Sequence, residues 1–463
     1  MHEERASGRA GPEGRGNATA FVLFVIGLVL MLALQAWGRP FAAGGIYFQH
    51  HSSESMMQTV SLLDLRESPW ETLLVLHIQP PLLDGLRGLL AQLWPDLGGR
   101  DLMVEVDRGL YLIWMVLYAF MGVLVFRWLE QLLVSARLAA LAAILFLLHP
   151  AAIFYATFLE GTFLTAFGVL CLCYALWAVP ARGATLVLGG TYLLLFFVRS
   201  IFQWPALVVL VAALLLGRIP RRRVLAFATA CGMVVGVFML KQYAVFGSPS
   251  TSSFAGSSCL QALGEPPEMG FSSMMTIPMG PLFPYATVRD YPSALTRAKK
   301  ITRAHNFNHV ADLYNERRLL RRCLRQLASD PVSMTLRAYL ENASIFLQPS
   351  SRYVTSHAIV DRLPWRGLYD WVFSGYRFVL LLAASGLWWV RRQSPAARLR
   401  GLGLALPILY ITTVCVVFER EENMRYKFFV EPVLFVFLVA QLSSACRALR
   451  PVTAKAGPGP IDH

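Results

Sequence analysis

The sequence predicts an all-α, polytopic membrane protein of about ten transmembrane helices, with two large loops on one side that carry interfacial helices. Three observations predict it. Hydrophobic residues make up 56% of the 463 residues and charged ones only 15%, against roughly a quarter charged in a soluble domain. Mean hydropathy is +0.51. The apolar residues also gather into runs that span a bilayer or nearly do, near 19–37, 109–126, 136–149, 161–179, 184–198, 201–217, 224–241, 374–390, 402–418 and 428–445. Some runs are short and two are almost fused, so the count ranges over roughly eight to eleven.

In chain order, residues 1–18 are polar and read as a disordered cytoplasmic N-terminus. The run at 19–37 is too long for a signal-peptide core and reads as a retained anchor. It opens a transmembrane core, 19–241, interrupted by a first large loop at 38–108. A second large loop occupies 242–373, the last helices 374–447, and a cytoplasmic tail 448–463. With the N-terminus inside, the inner segments carry Arg5, Arg9, Arg15, Arg127, Arg137, Arg182, Arg218, Arg221 to Arg223, Arg391, Arg392, Arg398, Arg400, Arg447, Arg450 and Lys455. The short outer turns carry only Arg199, Arg420, Arg425 and Lys427. That asymmetry obeys the positive-inside rule and makes both large loops extracytoplasmic. The net charge of +14 is scattered between apolar runs, which points to lipid phosphates rather than nucleic acid. Arginine outnumbers lysine 37 to 5, a skew that suggests a GC-rich bacterial genome and hence a bacterial inner (plasma) membrane.

Within the first loop, L-H-I-Q-P-P-L-L-D-G from Leu76 to Gly85 predicts a stiff corner. Gln79 precedes a proline and is pushed to an extended conformation, while Pro80 and Pro81 suit the start of a helix. Leu82, Leu86, Leu89, Leu90 and Leu93 then recur at helical spacing, with Asp84, Arg87 and Gln92 off that stripe. Such a helix lies in the membrane interface and holds His77 and Asp84 at its boundary. Met56, Met57, Val60, Leu63 and Leu74 suggest another amphipathic element. In the second loop, D-L-Y-N-E-R-R-L-L-R-R-C-L-R-Q-L reads as a basic amphipathic helix with Leu313, Leu320, Leu324 and Leu327 on one stripe, suited to an anionic lipid surface or to a lipid-linked ligand.

A span, then an outer loop holding an acid, then an H-x-x-P-P-L-like segment resembles the type C glycosyltransferases that use polyprenyl-phosphate sugars, among them the protein mannosyltransferase and aminoarabinose transferase relatives. Three further islands carry the likeness: H-P-A-A-I-F-Y-A-T-F-L-E-G, with Glu160 at the outer end of the third run; K-Q-Y-A-V-F-G-S-P-S-T-S-S-F-A-G from Lys241; and E-R-E-E-N-M-R-Y-K-F-F-V-E-P from Glu419. The likeness covers most of the chain as topology but only four short stretches as motif. It implies an inverting transfer of a sugar from a polyprenyl-phosphate donor to an extracytoplasmic glycan, lipid or protein. The position matching the family's first-loop carboxylate is Glu54, in Q-H-H-S-S-E-S-M-M-Q. The family more often has Asp there.

The residues read the same way on chemical grounds. Glycosyl transfer from a lipid phosphate needs a base for the acceptor hydroxyl, an oxocarbenium-like passage and a cation for the departing phosphate. Glu54 is the first candidate base, with Asp84, Glu160 and Asp64 in reserve. Arg199, Arg425 and Lys427 are the candidates for phosphate, since they stand on the outer side against the charge rule. His77 is a candidate substrate-binding residue. The bland readings are a solvated loop carboxylate for Glu54, a snorkelling side chain for Arg199, and local ion pairs for Arg425 and Lys427 with Glu419, Glu421, Glu422 and Glu431.

No cofactor is expected. His305 with His309, and His50 with Glu54, are each four apart, and a divalent metal would need more ligands than either pair supplies. Cys171, Cys173, Cys231 and Cys415 fall in apolar runs and read as packing residues. Cys259 and Cys323 share the second loop, where a disulfide is open to them without being demanded by their spacing. Two readings from other classes stand beside the enzyme: a transporter or lipid flippase, disfavoured by runs nearly free of buried charge, and a non-catalytic assembly subunit, whose mark would be tolerance of Glu54→Gln.

Overall fold

A computed structural model of the chain describes residues 12–38, 52–132, 134–178, 183–265, 279–282, 291–353, 359–392, 394–418, 420 and 423–449. His50, His51, His357, Glu419, Glu421 and Glu422 lie outside them, as do the polar N-terminus to residue 11 and the tail from 450. Everything described is helix and connection, with no strand beyond one isolated bridge between Lys299 and His305.

The order is α1 (Pro12–Gly38), then the first-loop helices α2 (Leu62–Glu67), α3 (Pro69–Leu74) and α4 (Leu82–Gln92). The long α5 (Gly99–Gln131) returns the chain to the bundle, followed by α6 (Ala136–Leu147), α7 (Pro150–Ala156), α8 (Gly161–Ala178), α9 (Ala184–Val198), α10 (Trp204–Leu216) and α11 (Arg221–Phe246). The second loop holds α12 (Ala255–Ala262), α13 (Ser293–Thr296), α14 (Val310–Ser329), α15 (Pro331–Phe346) and α16 (Arg366–Val372). The chain closes with α17 (Gly375–Arg392), α18 (Pro395–Phe418), α19 (Asn423–Lys427) and α20 (Glu431–Leu449).

Local chemistry sets many of these boundaries. Ser61, Ser135 and Asp330 cap α2, α6 and α15 by accepting first-turn amides, and prolines occupy the first turn of α3, α7, α10 and α15, as the geometry of helix starts favours. His149 and His309 cap α7 and α14 through Nδ1. The Gln79-Pro80-Pro81 corner feeds α4 as expected, with Leu82 its first residue.

Among the described residues, five helices are long and apolar enough to cross a membrane: Gly16–Trp37, Gly99–Gln131, Gly161–Ala178, Arg221–Phe246 and Arg398–Phe418. Two bent pairs, α6 with α7 at 55° and α16 with α17 at 61°, raise the number to seven. The protein is thus an all-helical chain with five to seven candidate crossings, fewer than the ten runs suggest. The runs at 184–198 and 201–217 form helices of 15 and 13 residues, or about 20 Å each at 1.5 Å per residue, short of the roughly 30 Å apolar core of a bilayer. The last run, in α20, is largely enclosed by its neighbours from Phe428 to Ala440.

α5 is the spine. It packs on α1, α6 and α8 and buries Trp114, Tyr118 and Trp128. Close approach depends on small residues, as is usual between membrane helices. A Cβ on Gly27 of α1 would stand 2.8 Å from the Ala119 backbone of α5, and one on Gly403 of α18 would stand 2.7 Å from the Ala213 carbonyl of α10.

Cys259 of α12 and Cys323 of α14 form a disulfide across 64 residues of chain. A crosslink over that span removes about 4 kcal/mol of unfolded-chain entropy in the loop-closure picture. Thiol-reactive labelling should therefore leave both cysteines unmodified until a reductant is added, and Cys323→Ala should lower the Tm of the purified protein. Labelling of Cys259 without reductant would contradict the pairing.

Candidate functional site

The site begins at V-R-S-I-F-Q-W-P, where one apolar helix stops and the next starts. α9 ends at Val198, Arg199 turns out in an extended conformation, a single helical turn covers Ser200–Phe202, and Pro205 helps restart the chain as α10. This break is one corner of a cavity of about 730 Å³. Trp204, Tyr410, Val414, Phe418, Leu320 and Leu324 supply its apolar walls, and Arg199, Gln58, Gln79 and Gln203 its polar ones. No carboxylate lines it among the described residues. The expected leucine stripe of α14 therefore faces this cavity at Leu320, Leu324 and Leu327, with Cys259 beside it.

Arg199 is 8% exposed. Its guanidinium donates to Glu160 Oε1 at 2.6 Å, to Thr162 Oγ1 at 3.0 Å and to Gln58 Oε1 at 3.0 Å, and it lies 5.5 Å from the ring centre of Tyr426. Its Nε is buried with no hydrogen-bond partner among the described residues. From the other end of the chain, Arg425 Nη1 reaches the same carboxylate at 2.9 Å and donates to Tyr353 Oη at 3.1 Å. Burial works against charge on Glu160, but Arg425 and Arg199 outweigh it and hold the carboxyl below its ordinary range. Among the described residues, the Glu160 carboxylate thus lies against two guanidiniums, Arg199 and Arg425.

The two first-loop carboxylates take a different position. Glu54 sits on a single turn, Ser53–Ser55, and is fully buried. It accepts from Arg87 Nη2 at 2.6 Å, Leu62 N at 3.0 Å, Ile301 N at 3.1 Å and Ser61 Oγ at 3.3 Å. Asp84 accepts from the same Arg87 at 2.5 Å and from Val60 N at 3.3 Å. Arg87 itself is 0% exposed and also donates to the Val60 carbonyl and to Ser53 Oγ. Beside them Lys300 donates to the Met56 carbonyl and to Thr59 Oγ1, and burial pushes its ammonium down to about 8. Asp64 holds Arg297 at 2.9 Å and Ser293 Oγ at 2.8 Å. These groups fasten the first loop to the second, and none of these three carboxylates lines the cavity.

His77 belongs to the same seam between the loops. Its Nε2 lies 3.0 Å from the Asn308 carbonyl, which can only accept, so Nε2 carries the proton and Nδ1 accepts from Ser253 Oγ at 2.8 Å. Burial pushes its imidazole down to about 3. Lys427 is fully buried, donating to the Phe373 carbonyl at 2.5 Å and to the Gln348 carbonyl, with Glu431 at 3.7 Å. The site candidates thus separate into three groups: Arg199 in the cavity wall with Glu160 and Arg425 behind it, Glu54 with Asp84 around Arg87, and His77 and Lys427 in packing positions.

Arg87, Lys300, Gln58 and Tyr426 were not singled out from sequence. Arg87 lay on the polar side of α4, which turns inward at Asp84 and Arg87, while Leu89 and Leu93 are 68% and 66% exposed. His305 and His309 do not share a helix face: His305 pairs with Asp312 at 2.8 Å and His309 caps α14. Among the described residues, no three His, Cys, Asp or Glu side chains come together as metal ligands.

No protein-family model and no curated protein matches this chain. The reading of the site rests on its own geometry.

Two outcomes follow. Glu160→Gln, which leaves two buried guanidiniums facing each other, should destabilise the fold by about 3–5 kcal/mol, and Glu160→Gln/Arg199→Gln should recover part of that loss in thermal unfolding in detergent. Additive losses would mean that the two side chains are not coupled. For His77, the unfolded chain takes up a proton below its ordinary 6.5 while the folded chain does so only near 3. The loop seam should hold above pH 6.5 and weaken steadily as pH falls toward 3. Amide exchange at 76–79 and 306–309, followed against pH in wild type and His77→Gln, measures this. A pH dependence unchanged in the variant would assign it elsewhere.

Proposed function

We propose that this chain is an integral-membrane glycosyltransferase that moves a sugar from a polyprenyl-phosphate donor to an extracytoplasmic glycan, lipid or protein, with inversion. The observation that carries the reading is a buried arginine, Arg199, in the wall of a large and mainly apolar cavity, its Nε unbonded among the described residues and Glu160 and Arg425 behind it. A polyprenyl phosphate has the two matching parts: an isoprenoid chain for Trp204, Tyr410, Val414 and Phe418, and a phosphate for Arg199. The arginine distribution supports a cavity on the outer face of a bacterial plasma membrane. The likeness to type C glycosyltransferases supports the inverting course.

In this reading the donor phosphate takes over part of the Arg199 fork. Glu160 stays with Arg425, and the bonding position that Arg199 gives up on Oε1 is taken by the acceptor hydroxyl. The acceptor oxygen bonds to the anomeric carbon as its proton passes to Glu160. The bond from that carbon to the phosphate oxygen breaks, and its electron pair leaves with the lipid phosphate, which Arg199 stabilises. Glu54, enclosed by four partners, serves by holding the loops together. Membrane lipids are the other partner, and no step requires a metal.

Purified protein in nanodiscs with radiolabelled polyprenyl-phosphate sugars and a panel of acceptors tests this. Glu160→Gln should bind donor yet lose turnover by about 100-fold or more. Arg199→Gln should lose donor binding as well. Glu54→Gln should lower the folded fraction while the protein that folds keeps its turnover. A folded Glu54→Gln without turnover, beside an active Glu160→Gln, would move the base to the first loop. Passage of labelled lipid across the bilayer without glycosyl transfer would replace the reading with a flippase.

A further inference from the structure

The far end of α10 holds a second cavity with a different character. α10 starts at Trp204 in the wall of the first cavity and ends 13 residues later, about 20 Å away at helical rise. There the turn into α11 faces the first turns of α18, and Arg218, Arg223 and Arg400 with Ile219, Pro220 and Leu399 surround about 380 Å³. Three of these residues are arginines and none is acidic. No ion pair joins any of the three to a described residue. The Arg400 guanidinium lies 5.3 Å from the ring centre of Trp177, which fixes its direction without neutralising it.

The backbone adds to the charge. Arg218 has φ +56°, an uncommon conformation for a residue with a Cβ. α11, with 26 residues, begins at Arg221 behind Pro220, has no side-chain cap and carries no acid in its first turn. The partial positive charge of its N-terminus is left to whatever occupies the pocket. The rim has apolar side chains of its own, Ile219, Pro220 and Leu399, and just before it in the chain Leu215 and Leu216, in the last turn of α10, are 50% and 42% exposed.

We propose that this pocket binds the phosphate headgroup of an anionic phospholipid, with the glycerol and first methylenes against Leu215 and Leu216. Arginine forks match phosphate oxygens, and the volume exceeds that of a bare phosphate. The apolar rim favours a lipid over a free anion. The inference rests on the membrane architecture and is independent of glycosyl transfer, so either can fail alone.

The test uses the full chain in nanodiscs of phosphatidylcholine alone or with phosphatidylglycerol. Lipid retention is read by native mass spectrometry and stability by thermal shift. Arg223→Gln/Arg400→Gln is compared with Arg221→Gln/Arg222→Gln, which removes the same charge from exposed positions outside the wall. Wild type and the outer pair should retain phosphatidylglycerol and gain Tm from it. The pocket pair should bind it about tenfold more weakly while keeping the wild-type Tm in phosphatidylcholine. Equal loss in both pairs would reduce the effect to diffuse surface charge, and undiminished retention in the pocket pair would remove the site. A Tm gain from inorganic phosphate in phosphatidylcholine discs equal to that from phosphatidylglycerol would make the ligand a free anion and overturn the lipid assignment.

Discussion

A guanidinium taken out of water must find anionic partners, and that requirement organises this molecule in two places. Arg87 is surrounded by Glu54, Asp84 and a backbone carbonyl, and around it the first loop folds onto the second. Arg199 and Arg425 converge on a single carboxylate, and around it the α7–α8 and α9–α10 connections meet α19. The first cluster lies away from the large cavity. The second sets Arg199 in the cavity wall, with its Nε unbonded among the described residues. The same physics thus gives an enclosed fastening in one case and a guanidinium that borders open space in the other.

The helical frame makes this separation possible. α5 runs through the middle, with α1 pressed on it at Gly27 and Ala119, and α10 and α18 meet at Gly403. Those tight approaches leave little space between the helices, so the large opening falls where helices break: at the α9–α10 corner and under α12 and α14. Of the first-loop helices, α4 turns Asp84 and Arg87 inward and leaves Leu89 and Leu93 exposed, an arrangement that suits a helix resting on a bilayer.

Much of this was legible in the sequence, and the illegible part has physical reasons. Arg199 and Glu160 declared themselves by interrupting apolar runs, where an ionised group needs a function or a partner. Their pairing with Arg425 did not, because Glu160 and Arg425 are 265 residues apart and no local pattern spans that distance. Arg87 was read as part of a polar helix face, and nothing in a single helix says whether its polar face meets water or protein. The burial of Glu54 was hidden for the same reason: two of its four partners, Arg87 and Ile301, arrive from elsewhere in the chain. The number of apolar runs and the number of long apolar helices differ for a physical reason. Apolar runs can be read from composition, but the bends between α6 and α7 and between α16 and α17 come from packing.

The disulfide has a consequence for the cavity. Cys259 is at once half of that bond and part of the cavity wall. The charged cluster is held by ion pairs between packed helices, while another part of the wall is tied by a covalent bond between α12 and α14. Reduction would therefore loosen one side of the cavity and leave the contacts of the charged cluster in place.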